Sequence, residues 1–206
     1  MAIHSKIIGS GLATGEHCVP NSKMCEMMDT SDEWIRQRTG IEQRYVVEHG
    51  VTTSDLGVRA AEKAIADAGL KKDDIDYIIF ATMTPDYYFP GCGGLLAHKL
   101  GLKRSIPALD LRQQCTGFLF GLQTADALIR SGTAKKILLV GAEVHSVLFP
   151  WPKSAWEFMF GRSDVPPTDE EKALATQFRD RIILFGDAAG AVVITATEEE
   201  NTGIVG

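Results

Sequence analysis

SIPALDLRQQCTGFLFGLQTADALIRSG, Ser105–Gly132, runs from an apolar segment through one cysteine into apolar residues at helical spacing. Ile106–Leu111 reads as a strand and Cys115–Gly132 as a helix that Gly132 stops. Cys115 stands at the junction. The unpaired amides and macrodipole of a helix start favour an anion, so a thiol there becomes a better nucleophile. A thiolate attacking a thioester forms an acyl-enzyme, and the amides of Cys115 and its neighbours are candidates to hold the oxyanion. The other reading of a lone thiol is a buried, inert cysteine. Gly117 and Gly121 permit close packing around the helix start.

Outward from this stretch the same alternation recurs. IHSKIIGSG, IDYIIFATM (75–83), KKILLVGAE (135–143), RIILFGD (181–187) and GAVVITATE (190–198) are apolar runs bounded by turn residues. Several are apolar on successive residues, as in strands buried on both faces. SDLGVRAAEKAIADAGL (54–70) reads as a helix with Ser54 as cap, a stripe at Leu56, Ala60, Ala64 and Ala68, and Gly69 as stop. TSDEWIRQRTGI (30–41) reads as a short helix capped at Thr30/Ser31, with acids early and arginines late. The alternation predicts an α/β fold, a mixed sheet covered by helices. Residues 147–180 break the rhythm with two tryptophans, four phenylalanines and four of the eight prolines. They read as a surface excursion holding a short aromatic helix and a second helix over about 168–178.

A chain of 206 residues suits one domain with a sizeable core. The net charge of −6 argues against a nucleic-acid partner, which would call for basic patches. No stretch approaches the ~20 apolar residues of a membrane span, and the first residues lack the layout of a secretion signal. The expected compartment is the cytoplasm. Cys18, Cys25, Cys92 and Cys115 are scattered, with no C-x-x-C, so a disulfide framework or structural zinc is not expected. GSGLATG (9–15) lacks the third glycine of a dinucleotide loop, with Thr14 in its place. The five histidines show no metal-ligand spacing; His145, just past a strand end, is the one to watch. FGDAAGAVV (185–193) reads as a tight turn between two strands.

Taken together, TSDEWIRQRTGI, the TPDYYFP loop (84–90), DLRQQCTGF and FGDAAGAVV resemble the N-terminal half of β-ketoacyl-acyl carrier protein synthase III-like condensing enzymes of the thiolase superfamily. The resemblance implies a layered αβαβα sandwich of two similar halves, usually a homodimer. It puts Cys115 on the acyl-accepting nucleophile, and Trp34 and Arg38 on contacts to the coenzyme A adenine and its surroundings. Arg179 falls where a further arginine contacts the coenzyme. Phe89 falls on an aromatic that reaches across the dimer toward the partner's acyl pocket. Trp with Arg can sandwich a purine, and Arg adds charge for phosphate.

The implied activity is acyl transfer from acyl-coenzyme A to Cys115, then decarboxylative Claisen condensation with a malonyl thioester to a β-ketoacyl product. It serves fatty-acid or secondary (polyketide-, quinolone- or olefin-type) metabolism, with acyl carrier protein as a possible partner and no metal or redox cofactor. The alternatives are a degradative thiolase and a non-catalytic thiolase-fold partner subunit. Two departures stand out. The family's GDGAG turn reads GDAAG, and Ala188 fits only where φ is negative. The aromatic, Pro-rich segment at about 147–178 reads as an insertion in a half-domain spanning 1–206, and as a lid or a wall that sets acyl-chain choice. The family's His and Asn partners come from its second half, and none of the five histidines matches them, so that half is expected outside these residues.

Overall fold

The computed structural model describes residues 3–199 and 202–204. Its strands are β1 (His4–Thr14), β2 (His17–Pro20), β3 (Gln43–Val46), β4 (Tyr77–Ala81), β5 (Ala108–Leu111), β6 (Lys136–Val144) and β7 (Asp187–Thr197). The helices are α1 (Asn21–Met27), α2 (Asp32–Thr39), α3 (Thr53–Asp67), α4 (Gly93–Leu100), α5 (Gly117–Arg130), α6 (Lys153–Met159), α7 (Asp169–Gln177) and α8 (Arg179–Ile182). The chain divides into two compact units, Met1–Ala13 with Val51–Glu143 and Ala188–Gly206, and Thr14–Gly50 with Val144–Asp187.

The first unit is a mixed five-stranded sheet in the order β1-β7-β6-β4-β5, clad in helices. β4 lies parallel to β5, Ile78 opposite Ala108, and parallel to β6, Tyr77 opposite Ile137. Flanked on both edges and covered on both faces, β4 has Ile78, Ile79 and Phe80 fully buried, as an uninterrupted apolar run requires. α5 covers one face. Its Gly121, Ala125 and Ile129 recur every fourth residue, and Ala125 and Ile129 join Ile79, Ile137, Leu139 and Ile194 in one apolar cluster. The other face meets α3, whose Gly57 lies against the Phe80 ring.

α3 also explains the glycines of GSGLATG. A Cβ at Gly9 would stand 2.4 Å from the Ala64 carbonyl oxygen, and one at Gly11 2.2 Å from that of Ala60. The glycines belong to β1 and let a helix backbone touch the strand, which leaves no nucleotide loop. The cap of α3 is Thr52 rather than Ser54: Thr52 accepts from the Asp55 amide while the Asp55 carboxylate accepts from the Thr52 amide at 2.9 Å. Ser54 instead turns its hydroxyl to Asp86.

In the second unit β2 and β3 pair antiparallel, Val19 opposite Arg44. Its core joins Val19, Met24, Met27, Met28, Ile35 and Val46 to Phe149, Trp151, Ala155, Met159, Ala175, Ile182 and Ile183. The expected surface excursion is therefore wrong for its aromatic part. Phe149 and Trp151 meet edge-on at 5.3 Å, Trp151 and Trp156 likewise at 5.3 Å, inside that core. The two expected helices are present as α6 and α7, the latter opened by a Thr168–Glu171 capping box. RIILFGD is not a strand: Arg179–Ile182 is a helical turn, and its apolar residues Ile182 and Ile183 are buried as one side of it. Ala188 is accommodated, since Gln114 is the one non-glycine residue of positive φ among those described.

Gly11→Ala should destabilise the protein by about 1–3 kcal/mol in urea unfolding, because the methyl meets backbone. Gly94→Ala, at an exposed position of α4 with nothing within 4 Å of the new Cβ, should stabilise it by about 1 kcal/mol. Equal effects at the two positions would contradict this packing of α3 on β1.

Candidate functional site

Cys115 is exposed. β5 ends at Leu111, the chain makes a 3-10 turn over Gln114–Thr116, and α5 begins only at Gly117. The thiol thus precedes the helix rather than opening it, which corrects the expected boundary. The Thr116 amide donates to the Gln113 carbonyl at 3.1 Å and the Gly117 amide to that of Gln114. Those two neighbours are spent in the turn and hold no oxyanion. Gln114 has φ +45°, a conformation that costs a side-chain-bearing residue of order 1–3 kcal/mol. That kink turns the chain out of the sheet with the sulfur on the surface. Gly117 and Gly121 bring α5 close: a Cβ on Gly117 would lie 3.2 Å from the Ala81 Cβ, and one on Gly121 2.5 Å from Leu139.

The same unit holds the 84–90 loop, with Tyr87, Tyr88 and Phe89 all exposed and Phe89 at 92%. Its entry is fixed by Asp86, whose carboxylate accepts from the amide and hydroxyl of Ser54 at 2.9 and 2.5 Å. The Lys99 ammonium stands 3.6 Å away. Burial opposes ionisation of Asp86, but those hydrogen bonds and Lys99 outweigh it and hold the carboxyl below its ordinary value. The loop's exit is fixed by Asp110 of β5, which accepts from the amides of Cys92 and Gly93 at 2.6 and 2.8 Å. This remote cap starts α4. Cys92 itself is buried, and burial pushes its thiol up to about 12. Arg112, two residues past Asp110, lies over the Tyr88 ring at 4.9 Å and donates to the Tyr88 carbonyl at 3.1 Å. Glu143 closes the same end of the sheet, accepting from the Met83 and Thr84 amides at 2.7 and 3.0 Å.

In the second unit the structure gathers Trp34, Arg38 and Arg179. α2 starts as the sequence predicts: the Ser31 hydroxyl accepts from the Trp34 amide at 3.1 Å, with Asp32 and Glu33 in the first turn and Gly40 at φ +71° as stop. The helix start is tied inward. Buried Arg44 donates to Asn21 Oδ1 at 2.8 Å, and Asn21 Nδ2 donates to Asp32 at 2.8 Å. Arg38, one turn after Trp34, places its guanidinium 4.2 Å from the centre of the indole ring. Arg179 places its own 4.2 Å from the same ring and donates to the Asp29 carbonyl at 2.9 Å. A half-buried indole with two guanidiniums on it can take a flat π-system and its attached phosphates. His145 stacks on Phe185, centroids 4.3 Å apart, beside a cavity of ≈ 390 Å³ that Leu148, Phe178 and Arg181 also line.

Cys115 and Phe89 thus belong to one unit, and Trp34, Arg38 and Arg179 to the other. Asp86, Asp110, Arg112, Asn21 and Arg44 do not stand out in the sequence. Among the described residues no group of three or more His, Cys, Asp or Glu is placed to hold a metal. Among the same residues no helix is long and apolar enough to cross a membrane.

Residues 109–163 match the family described as 3-oxoacyl-[acyl-carrier-protein (ACP)] synthase III. The β-ketoacyl-[acyl-carrier-protein] synthase III of Clostridium perfringens is 43% identical over 197 residues, 96% of this chain and 52% of that protein. The crystal structure of the 3-oxoacyl-[acyl-carrier-protein] synthase III of Aquifex aeolicus superposes with a TM-score of 0.78 at 34% identity, over 95% of this chain and 55% of that one. The priming β-ketosynthase of the R1128 polyketide pathway superposes at 0.76 with 30% identity, over 95% and 51%. The chain spans about half the length of the curated relatives it matches. By sequence and by fold the chain is similar to about half of a 3-oxoacyl-[acyl-carrier-protein] synthase III.

Proposed function

We propose that this chain carries the acyl-accepting half of a condensing enzyme. Cys115 sulfur attacks the thioester carbonyl of an acyl-coenzyme A, the carbon–sulfur bond to the coenzyme breaks, and the coenzyme leaves as the thiol with the proton Cys115 gives up. Trp34, Arg38 and Arg179 hold the adenine and phosphates of the coenzyme, and Phe89 reaches the acyl pocket of a partner subunit in a homodimer. The acyl-enzyme then meets a carbanion formed as a malonyl thioester, carried by acyl carrier protein, loses carbon dioxide. A His and an Asn from a second half assist that step. No metal or redox cofactor takes part, and the cytoplasm is the compartment. What carries this reading is the exposed Cys115 sulfur on a strained turn at a sheet edge. Fatty-acid initiation is the main reading, supported by the synthase III relatives. Priming of a secondary pathway is the second, supported by the likeness to the R1128 priming enzyme.

Intact-protein mass spectrometry of the full-length protein after acyl-coenzyme A exposure should show one acyl adduct, lost in Cys115→Ala. Cys92, held as the neutral thiol by a value of about 12, should stay unlabelled from pH 7 to 9; an adduct on Cys92 instead defeats the assignment. Trp34→Ala should raise the KM for acyl-coenzyme A about tenfold, since base stacking contributes about 1–3 kcal/mol. Arg179→Gln should raise it severalfold, with the acylation rate at saturation unchanged in both. A KM indifferent to Trp34 would remove the coenzyme from this unit.

A further inference from the structure

The loop between Asp86 and Cys92 is tied at both ends and bare in the middle. Asp86 is clamped by Ser54 and Lys99, and Cys92 and Gly93 by Asp110. Gly91, at φ +97°, turns the chain so tightly onto Asp110 that a Cβ there would stand 2.2 Å from the carboxylate. Between these ties Tyr87, Tyr88 and Phe89 are 63%, 73% and 92% exposed. Side chains so exposed take their direction from the backbone beneath them. At Tyr88 that backbone is held by Arg112, which grips the carbonyl and covers the ring.

Arg112 belongs to the segment that leads into Cys115. β5 ends one residue before it, and the 3-10 turn carrying the thiol begins two residues after. Its planar guanidinium does two things at once that a lysine ammonium cannot: it stacks on a ring and donates in its own plane to a fixed carbonyl. The Tyr88 carbonyl and ring together orient the guanidinium.

We propose that Arg112 is a positioning residue that couples the aromatic loop to the nucleophile turn and thereby sets which acyl chains the enzyme accepts. This rests on the reading of Cys115 as acyl acceptor and of Phe89 as an acyl-pocket side chain. Arg112 touches neither the thioester nor the sulfur in this role; it aims Phe89. A short acyl group, acetyl, ends before the pocket wall and is indifferent to that aim. A long one, octanoyl, lies along it.

The test measures Cys115 acylation in the full-length protein by quenched intact mass spectrometry, with acetyl- and octanoyl-coenzyme A as donors. In Arg112→Gln the octanoyl-to-acetyl ratio of kcat/KM should fall about fivefold, mostly through the octanoyl KM, with the acetyl rate and the unfolding midpoint kept. Tyr88→Leu should shift the ratio in the same direction, and the double variant no further than Arg112→Gln, because the two residues act as one contact. Arg112→Lys should fail to rescue. A ratio unchanged in Arg112→Gln, an equal loss with both donors, or additive single effects would overturn the role of Arg112 and leave Cys115 standing. A wild-type protein acylated by neither donor overturns the reading of Cys115, and this inference with it.

Discussion

How closely α5 lies on the sheet governs everything around the thiol. Gly121 sits where a Cβ would stand 2.5 Å from Leu139, and Gly117 where it would crowd Ala81. At that distance the chain leaving β5 has a single turn in which to rise out of the sheet plane and enter the helix. It does so by putting Gln114 at φ +45° and closing a 3-10 turn through the Thr116 and Gly117 amides. Strain of this kind persists only where the surroundings over-determine it. Here the buried β4 strand, the α5 cluster and the Asp110 tie do so, and their combined result is an exposed sulfur held at one place.

The same economy of space explains what the sequence makes legible. α2 and α7 are readable because their signals are local: Ser31 and Thr168 cap within three residues, and Gly40 stops α2 with a left-handed residue. β4 and β6 are readable because burial on both faces leaves no polar alternation to confuse. β2 and β3 are four residues each, and Pro20 ends β2, too little pattern to recognise. RIILFGD carries a β-branched run that propensity assigns to a strand, yet packing claims Ile182 and Ile183 for a helical turn. Tertiary burial overrode a weak local preference.

Site legibility follows the same division. Trp34 and Arg38 lie one helical turn apart, so the helix itself predicts their meeting. Arg179 joins them from α8, and nothing local to Arg179 announces it; the resemblance alone pointed there. The ties that aim the exposed loop, carboxylates on the Ser54, Cys92 and Gly93 amides and Arg112 on Tyr88, are all long-range and have no signature in a single sequence. Density of aromatic residues in 147–160 misled for a related reason. Five large rings read as a loop decoration when the rest of a core is far away in sequence, although such rings carry a large apolar area into a small core.

That small core also explains why a charge lies inside it. Arg44 is 5% exposed, and burial draws its guanidinium below its ordinary value. A buried cation without partners is costly, and here the partners are the carbonyls of Val19 and Ile183 with the amide oxygen of Asn21. Asn21 passes the polarisation on, donating to Asp32 and to the Ile41 carbonyl. The chain of bonds therefore runs from the strand pair to the first turn of α2, the helix that presents Trp34, and to the chain just past its Gly40 stop. An apolar side chain of similar volume at position 44 would pack as well, and would leave Asn21 and through it α2 free to settle at other angles. In that sense the buried arginine exchanges some stability for one fixed direction of the indole.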